Sequence, residues 1–187
     1  LPMDRIQKNV EFLLDDVKVS KNCLGKVITV SPQLLAMDVT MLWKRYIFLV
    51  DEIGIDEKHV PSMVCKFPHI LKYNVEKNLR PSANFFLEEF SLTRKNLATV
   101  VQRQPNILTL SVDQNIVPTI RFLTDELHMN SLQLQKVFLK NPSILSLSIE
   151  KNLRTKFEWF TEVLGVPEEK LAVILVACPI ILNLSLR

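Results

Sequence analysis

An all-α solenoid of about five repeats is the fold class this sequence predicts, and three observations carry it. Pro32, Pro68, Pro105, Pro142 and Pro179 stand 36, 37, 37 and 37 residues apart. Each opens a similar phrase: PQLLAMDV, PHILKYNV, PNILTLSV, PSILSLSI, PIILNLSL. Behind each Pro, apolar residues recur at the 3–4 residue spacing of one helix face, twice per interval. Glycine is scarce, 3 in 187 residues, against roughly 13 for average composition. Such scarcity argues against hairpin-rich folds, and Gly25, Gly54 and Gly165 lie too far apart to write a dinucleotide fingerprint or a phosphate loop.

The elements follow in order when positions are counted from each Pro at zero. Position 6 holds Asp38, Asn74, Ser111 and Ser148, residue types that cap helix N-termini. Position 8 adds an acid to the first turn in Glu76, Asp113 and Glu150. Leu79, Ala83, Phe86 and Phe90 then make one apolar face, repeated by Ile116, Ile120, Leu123 and Leu127 and by Leu153, Phe157, Phe160 and Leu164. This is helix A. Pro81 and Pro118 fall inside it and predict a kink or a split-off first turn. Helix B follows, capped by Ser20, Asp56, Thr93 and either Asn130 or Ser131. Its apolar face carries Leu97, Leu134 and Leu171, then Val100-Val101, Val137-Phe138 and Ile174-Leu175. Helix B ends before the next Pro, because the residue preceding Pro disfavours helical backbone. The Pro phrase itself reads as a turn or a brief 3₁₀ piece.

The repeat divides one domain, 1–187, into a partial unit 1–31, units 32–67, 68–104, 105–141 and 142–178, and a truncated start at 179–187. Unit 32–67 is one residue short between Val39 and Met41. Ile6, Leu13, Val17, Leu24 and Val27-Ile28 take the repeat's apolar places in the partial unit. Two helices per unit in series make a solenoid. Cys23, Cys65 and Cys178 are odd in number, and none forms a C-x-x-C, so they read as reduced core thiols. His59, His69 and His128 do not cluster with cysteine, so no metal site is expected, and no cofactor either. The most apolar stretch, 171–186, is too short to span a bilayer. No nucleophile–base pair or pair of buried carboxylates can be placed, so an enzyme is not expected.

The phrases PHILKYNVEKNLRPSANFF, PNILTLSVDQNIVPTIRFL and PSILSLSIEKNLRTKFEWF carry a resemblance to the mitochondrial transcription termination factor (mTERF) family. It covers nearly the whole chain. The resemblance implies a left-handed superhelix of two helices plus a short 3₁₀ turn per unit. It implies a mitochondrial or chloroplast location, with a transit peptide outside this sequence. It implies binding of duplex DNA, or of RNA in intron splicing or ribosomal RNA maturation, sometimes beside a protein partner.

The charges supply the residues. On the face of helix A opposite its apolar stripe, Lys77, Arg80, Arg121, Lys151 and Arg154 form a basic column, joined by Lys156 and, in the shortened unit, by Lys44 and Arg45. Later in helix A, Asp15-Asp16, Asp51-Glu52, Glu88-Glu89, Asp125-Glu126 and Glu162 form an acidic column. Both oppose the helix dipole, so segregation into a basic and an acidic edge, suited to guiding a phosphate backbone, is the expectation. The competing reading has the acids meeting Lys21, Lys58, Arg94 and Lys95 on helix B, and the bases simply solvated. A second basic set, Lys66, Arg103 and Lys140, ends helix B, where dipole capping explains it better than binding. The aromatics are mostly core, with Trp43 and Tyr73 the better candidates for exposure. Asn78, Asn115 and Asn152 are expected to bond backbone at the Pro turn.

Two function classes follow. The first is an organellar nucleic-acid-binding protein that holds a DNA or RNA backbone along a basic groove and regulates or terminates transcription. The second is a protein-interaction scaffold or RNA-maturation factor acting with a partner enzyme, which the mild net charge of +3 favours. Residues 1–67 carry 9 basic and 9 acidic side chains, residues 68–187 carry 14 and 11, so phosphate contacts are expected in the second half. The expected state is a monomer without membrane contact. Ile180, Ile181 and Leu184 leave an apolar end that could self-associate.

Overall fold

The computed structural model describes residues 3–184, and no strand occurs among them. Residues 1–2 and 185–187, which belong to the partial first unit and the truncated last one, lie outside the described part. The repeat phrases fold as the sequence predicts. The Pro phrases are 3₁₀ turns at Pro32–Leu35, Pro68–Leu71, Pro105–Thr109, Pro142–Ser146 and Pro179–Asn183. The chain divides into two compact units, 1–109 and 110–187.

In the first unit the helices are α1 (Met3–Glu11), α2 (Lys21–Val30), α3 (Val39–Ile47), α4 (Val60–Lys66), α5 (Arg80–Glu88) and α6 (Arg94–Arg103). In the second they are α7 (Val117–Arg121), α8 (Ser131–Lys140), α9 (Thr155–Glu158) and α10 (Glu168–Ala177). Odd numbers are the α-helical parts of helix A, even numbers helix B.

The caps form where their residue types require. Asp38 accepts from the Thr40 amide, and Asn74, Ser111 and Ser148 accept from Lys77, Gln114 and Lys151. Ser20, Asp56 and Thr93 cap helix B, and Asn130 does so in a reciprocal capping box with Gln133. Asn78 and Asn115 reach back to the amides of Asn74 and Ser111, both at 3.2 Å. They thus close the same N-terminus from inside.

Helix A is not a uniform α-helix. Wide π turns open it at Val75–Leu79, Val112–Ile116 and Ile149–Arg154. Others close it at Phe12–Asp16, Phe48–Glu52, Phe122–Glu126 and Trp159–Val163. Pro81 and Pro118 sit just beyond the opening turns, in the first turn of α5 and α7. The wide turn also forms before α9, which has Thr155 in place of Pro. Proline therefore suits this split without causing it.

Each A–B corner needs one residue with left-handed backbone. Lys18, Gly54, Ser91, His128 and Gly165 fill that place, with φ of 61°, 85°, 49°, 50° and 64°. Two corners use glycine, which adopts this geometry without a Cβ penalty.

The cores form from the predicted stripes. Leu79, Phe86, Leu97, Val101, Ile107 and Leu108 are fully buried in the first unit, as are Ile116, Leu153 and Leu182 in the second. Leu164 departs from its stripe and is exposed. The cysteine expectation is corrected: Cys23 and Cys65 form a disulfide, and Cys178 is exposed rather than buried. Cys23 on α2 and Cys65 on α4 lie 42 residues apart, but adjacent B helices pack side by side and bring their Cα atoms to 6.0 Å.

Candidate nucleic-acid interface

The basic column separates into three groups once each side chain is followed to its end. Arg80 and Arg154 form the first. Arg80 makes a bidentate pair with Glu52 of the preceding repeat and bonds Glu76 of its own. Its guanidinium lies 5.5 Å from the Phe48 ring centroid. Arg154 repeats the arrangement in the second compact unit. It bonds Glu126 at 2.6 and 2.7 Å and Glu150 at 3.0 Å, and lies 5.3 Å from the Phe122 centroid. The hydrogen bonds that Arg80 donates to Glu76 and Glu52 raise its pKa, and those that Arg154 donates to Glu126 and Glu150 raise its own. The Arg80 bond in turn holds the Glu76 carboxyl below its usual range.

This corrects the expected segregation of charge. At these two sites the acidic column of one repeat interlocks with the basic column of the next. The helix dipole disfavours Arg80, Arg154 and their acidic partners where they stand, and the ionic rung between repeats accounts for these members of the two columns. Half-exposed pairs of this kind add little stability, but they do occupy two guanidinium groups. Among the described residues the alternative partners on helix B are not used in this way: Lys58 bonds Asp56 at 2.6 Å, beside its own helix start.

Arg45 and Lys156 form the second group, and they are interior rather than on a binding face, each 4% exposed. Arg45 donates to the Tyr73 carbonyl at 2.9 Å and to the Met41 carbonyl. Lys156 donates to the Leu182 carbonyl and to Asn152 Oδ1. Both occupy position 14 of the repeat. Asn9 holds the same place in the first repeat and donates to the Leu34 and Met37 carbonyls, both at 2.8 Å. Ser82 and Thr119, also at position 14, are buried too. A polar side chain thus enters the core at every repeat. Asn9, Arg45 and Lys156 satisfy carbonyls in or just after the next 3₁₀ turn, groups that would otherwise be buried without a donor. Burial pushes the pKa of Arg45 and of Lys156 down.

Lys44, Lys77, Arg121 and Lys151 make up the third group. All four are exposed, and none makes an ion pair among the described residues. Lys44 lines a groove of about 380 Å³ with Ile47, Val75, Glu52, Glu76 and Arg80, in the first compact unit. Among the second-tier cations, Lys140 bonds the Val176 carbonyl at 2.7 Å, the C-terminal end of α10. It therefore caps the next repeat's helix. Lys66 is exposed, as is Arg103, which is engaged within the chain. Trp43 is partly exposed, and Tyr73 is half-buried with Lys72 over its ring at 5.6 Å.

No three side chains of metal-binding type come together among the described residues. No helix among them is long and apolar enough to cross a membrane. Helix pairs repeated in series define an all-α helical-repeat protein. The sequence pattern of the mTERF family matches residues 3–126 and 123–187, and the chain belongs to that family. Its members are generally non-enzymatic helical-repeat binders of nucleic acid and are typically organellar. No individual curated protein matches the sequence.

Proposed function

We propose that this chain is an organellar nucleic-acid-binding protein that grips the sugar–phosphate backbone and regulates or terminates transcription. The observation that carries the reading is the third group of cations. Lys44 and Lys77 in the first compact unit, and Arg121 and Lys151 in the second, stay exposed and, among the described residues, without ion pairs, while the other cations of the column are engaged within the fold. Exposed cations bind phosphate by releasing counterions, so each contact contributes about 0.9 to the log–log salt slope on duplex DNA. Replacing all four by alanine is expected to flatten that slope by up to about 3.6 and to weaken binding at every sequence tested. An unchanged slope in the quadruple variant, measured by fluorescence anisotropy on a labelled duplex, refutes the assignment.

A protein-interaction scaffold is the second reading. It is favoured by Val163, Leu164, Val173, Ile180 and Leu184, apolar side chains more than half exposed in the last repeat. It takes over if neither duplex nor single strand binds at low salt.

A further inference from the structure

Position 12 of helix A is Gln7, Trp43, Arg80, Val117 and Arg154 in successive repeats, and position 16 is Glu11, Ile47, Asn84, Arg121 and Glu158. Only the repeat 32–67 places large apolar side chains at both. They stand one helical turn apart on α3, with Trp43 37% and Ile47 46% exposed. The fold does not require an indole there. Position 12 packs on the aromatic ring of the preceding repeat, and arginine performs that task on Phe48 and Phe122.

The indole is nevertheless held firmly. Phe12 meets it at 5.2 Å and 65°, Tyr46 at 5.5 Å and 82°, both edge-to-face. A ring fixed in this way loses little conformational freedom when something stacks on it. Two exposed cations belong to the same elements as the ring cluster. Exposed Lys44 adjoins Trp43, and exposed Lys8 stands one turn before Phe12 on α1. Burial first, then Glu57, Asp16 and Asp51, push the Tyr46 hydroxyl pKa up. A polyanion is drawn to exposed cations of this kind.

We propose that Trp43 is a stacking site for an unpaired nucleobase, with Lys8 and Lys44 receiving the flanking phosphates, so that single-stranded nucleic acid is the preferred ligand of this repeat. The assignment rests on the nucleic-acid reading above. In a duplex the base faces are already stacked on one another, whereas an unpaired base offers its π face to an aromatic platform.

The chain has two tryptophans, and Trp159, packed edge-on against Phe160 at 5.4 Å, is removed by Trp159→Phe. The remaining emission then reports Trp43. Titration of that variant at low salt with a thymidine oligomer of about 15 nucleotides is expected to quench it to saturation, and a duplex of equal length to leave it nearly unchanged. Trp43→Leu keeps an apolar contact with Phe12. It is expected to weaken single-strand binding roughly tenfold without altering the salt slope or the duplex affinity. Circular dichroism confirms that the variant keeps its helices, and Trp43→Phe, which retains a ring, is expected to recover most of the loss. If the oligomer binds without quenching, or Trp43→Leu binds it as tightly as the parent, the stacking site is refuted and backbone binding stands. If neither nucleic acid binds at low salt, both readings fall.

Discussion

Arg45 separates an interior role from a binding role more sharply than any other residue in the chain. The substitution is Arg45→Met, which keeps the length and apolar body of the side chain and removes its donors. Two carbonyls receive the guanidinium, but they are not equally dependent on it. The Met41 carbonyl lies inside α3, where the helix supplies its own amide. The Tyr73 carbonyl stands just before the Asn74 cap and has no backbone donor among the bonds of the described residues. A buried acceptor left without a donor loses about 1–3 kcal/mol, and relief of the guanidinium's desolvation returns part of that. The expected net loss is about 2 kcal/mol. Urea unfolding followed by circular dichroism reads it as a lower midpoint at unchanged m-value. Arg45→Lys is expected to lose less than about 1 kcal/mol, because Lys156 performs the same task at the same position of its repeat. The salt slope of nucleic-acid binding is expected to stay as it was in both variants. A parent-like midpoint together with a slope reduced by about 0.9 would show that the Arg45 head meets phosphate and not the Tyr73 carbonyl.

Four further outcomes follow from the ion pairs, the corner backbone and the disulfide. The double variant Glu52→Gln, Glu126→Gln weakens the grip on Arg80 and Arg154, so duplex affinity is expected to rise and the salt slope to steepen by up to about 2. Acid has a parallel effect at Arg80. The Glu76 carboxyl, held below its usual range by that arginine, contributes stability above its ordinary value of 4.5, and that contribution is lost as pH falls through the lowered folded value. An acid-unfolding curve of Glu76→Gln should be flatter there, and a superimposable curve would contradict the rung. Gly165→Ala is expected to lose about 0.5–1 kcal/mol and His128→Gly to gain a similar amount. A Cβ at residue 165 meets nothing within 4 Å, so the change at that corner reports backbone conformation alone in thermal unfolding. Reduction of Cys23–Cys65, which closes a loop across 42 residues, is expected to lower stability by roughly 4 kcal/mol on chain-entropy grounds. Melting with and without dithiothreitol measures it, and Cys23→Ser should abolish the difference.

The frame of the molecule was legible because it is written in local chemistry. Caps, apolar stripes and the Pro phrase act within a few residues, and Asn74, Ser111, Ser148 and Asn130 all perform as their types require. What escaped the reading depends on contacts from one repeat to the next. Arg80 looks like a free cation until Glu52, 28 residues earlier, closes on it. Cys23 and Cys65 sit in no motif, and only the side-by-side packing of α2 and α4 joins them. The interior position 14 did leave a trace. It lies three residues after position 11 and four before position 18, both on the buried stripe, so the helical period alone places Asn9, Arg45, Ser82, Thr119 and Lys156 inside. Charge drew Arg45 and Lys156 toward the surface in the sequence reading, and the period was the better guide. Exposure of Lys44, Lys77, Arg121 and Lys151 was correctly anticipated, since their places face away from that stripe.

The two kinds of link between repeats differ in what they demand of a neighbour. An ionic rung needs a matched residue on each side, Glu52 for Arg80 and Glu126 for Arg154, so a change in one repeat obliges a change in the other. The position-14 link needs a donor on one side only, because its acceptors on the next turn are main-chain carbonyls, which every turn carries whatever its side chains. Repeats joined in this way can be duplicated, exchanged or allowed to diverge without a compensating substitution next door. Asparagine, arginine and lysine already share the task in one chain, and that tolerance leaves the outer face of each repeat free to vary under selection for what it binds.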